Sequence, residues 1–314
     1  MLDCAIIGGG PAGLTAGLYA TRGGLKRVVM YEMGMPGGQI TQSSEIENYP
    51  GVFREDPPLT GIDLMESWPK QCMHFGLKHD MREVKRVKRD EESFIIDLGD
   101  EKVRAKSVIV CTGSTPKRAG FDGEEQFFGK GVSTCATCDG FFYRNREVAV
   151  LGGGDTALEE ALYLANICSK VYLIHRREEF RAAPPTVERV MKSDKIELVL
   201  NASIKKAFGD VMGLGGVEVA FSDGRESIKL DLPGLFVFVG NNVNNGVLKQ
   251  EDGTFLCELN EQGQVVVDLN MKTSTEGLFA AGDIRVEAPK QVVCAAGDGA
   301  IAGMGALEFV QEHS

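Results

Sequence analysis

The chain is short of aromatic residues, with one tryptophan and four histidines among 314 residues, and it lacks any excess of positive charge. Each shortage excludes something. With 34 Lys and Arg against 45 Asp and Glu the formal net charge is −11, so a surface built to neutralise nucleic-acid phosphates is not expected. The one dense basic run, Lys85-Arg86-Val87-Lys88-Arg89, is followed at once by Asp90-Glu91-Glu92 and reads as a solvated hairpin turn. The scattered histidines form no cluster, so no metal site is expected. No apolar run approaches the length a bilayer-spanning helix needs. The N-terminus runs into the apolar stretch Cys4-Ala5-Ile6-Ile7 without a basic leader or cleavage site, so a cytoplasmic location is expected. Eight cysteines contain a single closely spaced pair, which is not a secreted disulfide framework.

What is present describes an α/β enzyme: 43% hydrophobic residues, 25% charged residues and 39 glycines. A chain of this length folds as two domains or one large one and buries roughly three quarters of its unfolded surface. The strand Cys4-Ala5-Ile6-Ile7 leads through Gly8-Gly9-Gly10-Pro11-Ala12-Gly13 into a helical pattern, which is the dinucleotide-binding fingerprint in its required context. Gly8 permits the tight turn, Gly10 lets the backbone approach a pyrophosphate, and Gly13 lets helix pack on strand. The next strand, Arg27-Val28-Val29-Met30-Tyr31-Glu32, ends in an acid about twenty residues beyond Gly13, placed to accept hydrogen bonds from an adenosine ribose. A glycine-rich polar loop with Gly37, Gly38 and Gln39 follows, suited either to a flat ring lying on backbone or to an ordinary surface loop.

The pattern then repeats. Glu147-Val148-Ala149-Val150-Leu151 is a strand, Gly152-Gly153-Gly154-Asp155-Thr156-Ala157 a turn, and Leu14, Leu18 and Tyr19 of the first helix match Leu158, Leu162 and Tyr163 of the second. Two such units imply two nucleotides. The second copy ends its next strand in His175-Arg176-Arg177 in place of an acid, with Arg181 one turn on if the segment is helical. Guanidinium groups bind a 2′-phosphate that a carboxylate would repel, so the second nucleotide is expected to be NADPH. His175 is either a ligand contact or a ring packed on the adenine. The polar segments near Thr115-Pro116 and at residues 241–246 read as crossings between domains. They divide the chain into 1–115, 116–245 and 246–314, the middle piece inserted into a domain built from the other two.

Between the two fingerprints lies Cys135-Ala136-Thr137-Cys138-Asp139-Gly140. Two sulfurs at this spacing close a small disulfide ring in which one thiolate attacks and the other resolves, and Asp139 can move the protons. Alone, the motif also fits half a zinc site. Its position between two nucleotide sites points to electron transfer.

Taken in order, these motifs, with Glu47-Asn48-Tyr49-Pro50-Gly51 and Gly282-Asp283, resemble the bacterial low-molecular-weight thioredoxin reductases over essentially the whole chain. The resemblance implies two Rossmann-like three-layer domains, the NADPH domain inserted into the FAD domain. FAD would be held by the loop with Gly8, Gly10, Pro11 and Gly13, by Glu32, Gly37, Gly38, Gln39, Thr41 and Asn48, and by Gly282, Asp283, Lys290, Gln291 and Val292. NADPH would be held by Gly154, Asp155, Thr156, His175, Arg176, Arg177 and Arg181. The family also implies a homodimer, a thioredoxin as protein substrate, Cys138 facing the flavin, Cys135 attacking the substrate and Asp139 handling protons. Two positions depart from the family pattern: Lys290 stands where arginine is usual, and Val243-Asn244-Asn245 where Pro-Asn-Thr is usual. A disulfide against the flavin is hidden from a protein substrate and occupies the nicotinamide's place, so the inserted domain is expected to rotate about its crossings. Rival readings are a reductase serving another carrier, such as a peroxiredoxin, and an NADPH-sensing or zinc-stabilised binding protein.

Overall fold

The structure, a computed structural model, describes residues 1–43, 46–54 and 56–313. It divides into two compact units, Met1–Thr115 with Val243–Ser314, and Pro116–Asn242. The second break therefore falls three residues before the boundary expected from sequence. Val243, Asn244 and Asn245 go with the first unit because Asn244 is bonded there: its backbone N–H donates to the Gly113 carbonyl at 3.0 Å and its side-chain amide to the Thr112 carbonyl at 2.9 Å.

In the first unit, β1 (Leu2–Ile7), α1 (Pro11–Arg22) and β2 (Val28–Tyr31) form a parallel βαβ start to a seven-stranded sheet. Its order runs β3 (Lys78–Asp80), β2, β1, β6 (Lys102–Val110), β5 (Ser93–Asp97), β4 (Arg86–Asp90), with strand Leu278–Ala280 also on β6. β1 is parallel to both β2 and β6, with Ile7 opposite Tyr31 on one side and Val110 on the other. Alternation then sorts its side chains. Cys4 and Ile6 join the core under the helices, whereas Ala5 and Ile7 join the core on the opposite face. The basic run expected to be a turn is instead β4, because Val87 supplies a buried residue to the sheet while Arg86 and Lys88 reach out to Glu251. The turn itself is at Glu91-Glu92, with Glu91 left-handed at φ 46°.

The second unit repeats the arrangement. A five-stranded parallel sheet runs Ile196–Leu200, Lys170–His175, Glu147–Gly152, Gly234–Phe238, Val132–Ser133. Helix Asp155–Ile167 covers one face and the antiparallel strands Ala202–Asp210, Gly213–Phe221 and Ile228–Asp231 cover the other. The internal repeat holds in burial as well as in sequence. Leu14 and Leu158 are fully buried, while Tyr19 and Tyr163 stand 42% and 38% exposed at equivalent places.

Helix Val292–Glu312 is, by length and composition, apolar enough to cross a membrane, which corrects the sequence expectation that no run approached that length. Its apolar character is spread over alanine and glycine, so no block of large residues marks it. Its small residues meet α1: a Cβ on Gly299 would overlap the Ala12 carbonyl oxygen, and one on Gly303 would lie 2.5 Å from that of Ala16. By contrast, Gly297 on the same helix is exposed and nothing lies within 4 Å of its Cβ position. Gly299→Ala should therefore lower stability by about 1–3 kcal/mol through forced separation of the helices. Gly297→Ala should be neutral or stabilise by up to roughly 1 kcal/mol through helix propensity. Denaturant midpoints of the two variants decide the matter, and equal midpoints would mean that the helices do not need this approach.

Candidate active site

The candidate residues fall into two groups, one in each unit. In the first, β1 hands over to α1 through Gly8, whose φ is +106° and where a Cβ would overlap the Cys111 carbonyl. A Cβ on Gly13 would in turn overlap the Gly8 carbonyl, so the turn is tight only because both side chains are missing. Pro11 opens the helix, where its missing N–H costs nothing, and Gly10 precedes it in an extended conformation with no side chain capping the first-turn N–H groups. That arrangement presents backbone donors to an anion.

The other residues expected at this site gather around the turn. Gly37 donates its N–H to the Gly9 carbonyl at 2.8 Å, and a Cβ on Gly38 would lie 2.9 Å from the Gly10 Cα. Thr41 donates its hydroxyl to the Gly38 carbonyl at 2.8 Å, and the Gln39 amide reaches the Ser114 carbonyl. The Asn48 amide meets Gln291 Oε1 at 3.2 Å, which joins the loop to the residue preceding helix Val292–Glu312. The Asp283 carboxyl is held above the usual carboxylate range by burial and by Asp298, with Lys290 and Arg285 opposing. Lys290 itself is left-handed at φ 56°.

Glu32 does more than the ribose reading foresaw. Its carboxylate accepts the Gly9 N–H at 2.9 Å and the Gly34 N–H at 3.2 Å, so it braces the loops on both sides of the turn. In the second unit His175 stands at the equivalent register, since Ile7 pairs with Tyr31 and Leu151 with Ile174. Its ring occupies the space a Cβ on Gly153 would need, as the Glu32 side chain does at Gly9. The His175 ring is buried, stacks on Phe180 at 5.4 Å and bonds the Glu179 carbonyl at 3.2 Å; burial holds its pKa below the usual value. It supports the glycine turn from beneath.

Arg176 and Arg177 follow on the exposed side. The segment after them is a series of bends, not the helix that would put Arg181 one turn on. Arg181 returns because its backbone N–H donates to the Gly153 carbonyl at 2.8 Å. All three guanidinium groups lie close enough to His175 to disfavour its protonation, and among the described residues none of them forms an ion pair. Helix Asp155–Ile167 starts beside them at Gly154, again uncapped by any side chain; Thr156 is exposed, and Asp155 accepts the Ala183 N–H at 2.7 Å.

Cys135 and Cys138 are joined by a disulfide with their Cα atoms 5.3 Å apart. Cys135 is the N-cap of the short helix Ala136–Asp139, and its sulfur accepts the Cys138 N–H at 3.2 Å, with Thr137 Oγ1 at 3.4 Å. The same donors would favour a Cys135 thiolate. Asp139 sits on this helix with its carboxyl pushed up by burial, partly offset by a hydrogen bond from Ser133. Ser133 also accepts the Cys135 N–H at 3.0 Å, and no sequence motif had marked it. A serine two residues before a cysteine N-cap is a local side-chain-to-backbone signal that could have found it. Within this unit the dithiol does not lie at the glycine turn. Gly140, just after it, packs on Leu164, roughly 14 Å along the helix from Asp155.

A family model described as pyridine nucleotide-disulphide oxidoreductase matches residues 2–299. The chain belongs to this family. Among curated proteins it is 58% identical over 314 residues to a thioredoxin reductase of Helicobacter pylori strain J99, covering 100% of each chain. It is 37% identical to a thioredoxin reductase of Listeria monocytogenes, covering 99% of this chain and 94% of that one. Among solved structures, the thioredoxin reductase of Streptococcus pyogenes superposes with a TM-score of 0.91 at 34% identity, covering 99% of both chains. That of Lactococcus lactis, described as in an FR conformation, superposes with a TM-score of 0.65 at the same 34% identity, over 99% of this chain and 100% of that one. The resemblance and the fold class expected from sequence are borne out.

The Asp139 environment makes a pH-dependent prediction for a pyridine nucleotide-disulphide oxidoreductase of this kind. Its folded pKa is raised above the unfolded value of about 4, so the carboxyl costs the fold nothing when both states are protonated. The cost grows as pH rises and the unfolded chain ionises first. Asp139→Asn should therefore raise the denaturant midpoint at pH 7 and leave it unchanged near pH 3.5. A gain of equal size at both pH values would show that burial of charge is not its source.

Proposed function

We propose that this protein is a thioredoxin-disulfide reductase that takes electrons from NADPH through bound FAD to the Cys135–Cys138 disulfide and on to a thioredoxin. The carrying observation is a dithiol already closed into a disulfide, set in a unit with its own nucleotide turn, in a chain 58% identical from end to end to a thioredoxin reductase. The residues present fit both cofactors. The uncapped first turn of α1 suits the FAD pyrophosphate, and the close packing of Gly38 on Gly10 holds the glycine-rich loop against that turn. Gly154, Asp155 and Thr156 open the second helix, with the exposed guanidinium groups of Arg176 and Arg177 suited to a 2′-phosphate.

A bound flavin supplies two-electron chemistry between the nicotinamide and the disulfide. The chain does the rest. Reduction breaks the Cys135–Cys138 bond; Asp139, next to Cys138 in the chain and with its carboxyl pKa raised by burial, supplies the proton that Cys138 takes up. Cys135, its sulfur favoured as a thiolate by the Cys138 N–H, attacks the substrate disulfide and releases one substrate thiolate. Cys138, giving up that proton, then attacks the Cys135 sulfur of the mixed disulfide and displaces the second substrate thiolate, which takes up the proton as the Cys135–Cys138 bond is restored. A sulfur pair that meets a flavin and then a protein needs two arrangements of the units. Relatives matched at one identity and coverage but with TM-scores of 0.91 and 0.65 support such a movement. A homodimer and a cytoplasmic location belong to the same proposal.

The purified protein should be yellow and should oxidise NADPH only when oxidised thioredoxin is present. Cys138→Ser should abolish thioredoxin reduction while retaining the colour, whereas NADPH oxidation left intact in Cys135→Ser with another carrier would favour that carrier as the partner. Arg176→Ala and Arg177→Ala should each raise KM for NADPH at least tenfold, the equivalent of about 1.5 kcal/mol for a charged hydrogen bond, and leave KM for NADH unmoved. Parallel loss with both nucleotides would remove these arginines from the role.

A further inference from the structure

The loop that carries Asp283 is held by a pair of residues that no motif assigns. Gly282 to Arg285 forms a turn in which the Arg285 N–H donates to the Gly282 carbonyl at 3.1 Å, and Asp283 is its second residue. One carboxylate grips both ends of this turn. Asp298, on helix Val292–Glu312 and only 6% exposed, accepts the Gly282 N–H at 3.1 Å through Oδ2. The same oxygen accepts Arg285 Nε at 2.6 Å, and Oδ1 accepts Arg285 Nη2 at 2.9 Å, a two-pronged pairing. Arg285 closes the arrangement by donating Nη1 to the Val286 carbonyl at 2.8 Å.

We propose that Asp298 and Arg285 are a positioning pair: by clamping the first and fourth residues of the turn to the helix, they fix the direction in which Asp283 is presented to the flavin. This rests on the flavin reading above. Three features support a task beyond holding the fold. The clamp acts on the one turn whose second residue is the candidate cofactor carboxylate. Asp298 is immediately followed by Gly299, the point of closest approach to α1 and so to the first-turn donors of the same site. The pair is also charge-balanced. An unpaired carboxylate here would push Asp283 further toward its neutral form, and Arg285 opposes that push. A neutral polar clamp could hold the turn, but the planar fork of arginine holds it in one orientation.

The test uses the purified holoenzyme with Arg285→Lys, which keeps the charge and loses the fork, and Asp298→Asn, which keeps an acceptor for the Gly282 N–H and loses the charge. Release of FAD, read as regained flavin fluorescence after dilution, should be at least tenfold faster in both variants. With FAD added to saturation, the visible circular dichroism of the bound flavin should differ from wild type, because its contacts at Asp283 have changed. Unchanged release and an unchanged spectrum would overturn the proposal. So would faster release with a wild-type spectrum at saturation and a fall in thermal midpoint to match, which is what a purely structural pair would give. If Asp298→Asn does not fold, Arg285→Lys decides alone. A wild-type protein that binds no flavin would instead sink the flavin reading itself.

Discussion

The first unit depends on how closely backbone is allowed to approach α1. On one side Gly13 brings the helix against the Gly8 carbonyl; on the other, Gly299 and Gly303 bring helix Val292–Glu312 against the carbonyls of Ala12 and Ala16. A methyl group at any of these places must push the helix away from one neighbour. Close-packed interiors transmit such shifts, so the position of the first-turn N–H groups is set jointly by both contacts. The surrounding loops are then tied to the turn by hydrogen bonds to Gly9: its N–H goes to Glu32 and its carbonyl takes the Gly37 N–H. The tightness of this turn follows from absent side chains as much as from present ones.

Much of this was legible in the sequence because glycine, alternation and charge each carry a local physical meaning. The two βαβ repeats, the paired cysteines and the strand ends at Glu32 and His175 all announce themselves within short windows. What was not legible depends on pairing between distant segments. The basic run at residues 85–89 has turn-like composition, but its alternating Val87 is needed by the sheet, and tertiary burial overrides composition. The long C-terminal helix hid its length in alanine and glycine, whose purpose is visible only once α1 lies across them. Asp298 was a detectable signal: the one acid in the small, apolar first four turns of the helix, though its partner Arg285 lies outside the helix altogether.

The two repeats place different residues at the same point of one scaffold. In both, the residue just past the end of the second strand's shared register lies against the middle glycine of the turn. In the first copy that residue is Glu32, whose charge faces the turn while its stem supports it. In the second it is His175, which keeps the supporting task alone, and the exposed charge lies outward at Arg176 and Arg177. Support and recognition are thus separable functions of neighbouring positions. A reading that treats the strand-end residue only as a ligand contact sees one half of its work.

The redox segment shows the opposite economy, in which stability is surrendered for chemistry. Asp139 is held where burial disfavours its charge, and Tyr143 nearby is pushed to about 12 by the same burial and by Asp139. Replacing the acid with a neutral side chain would relieve the fold, yet a neutral amide can neither release nor regain a proton. A carboxyl whose pKa is raised by burial holds its proton to higher pH than an exposed one, which suits a group beside a disulfide that gains electrons. Ser133 moderates the effect. Its hydroxyl stabilises the ionised form, and its bond from the Cys135 N–H ties that stabilisation to the loop carrying the sulfur. One side chain therefore contacts both Asp139 and the backbone of Cys135.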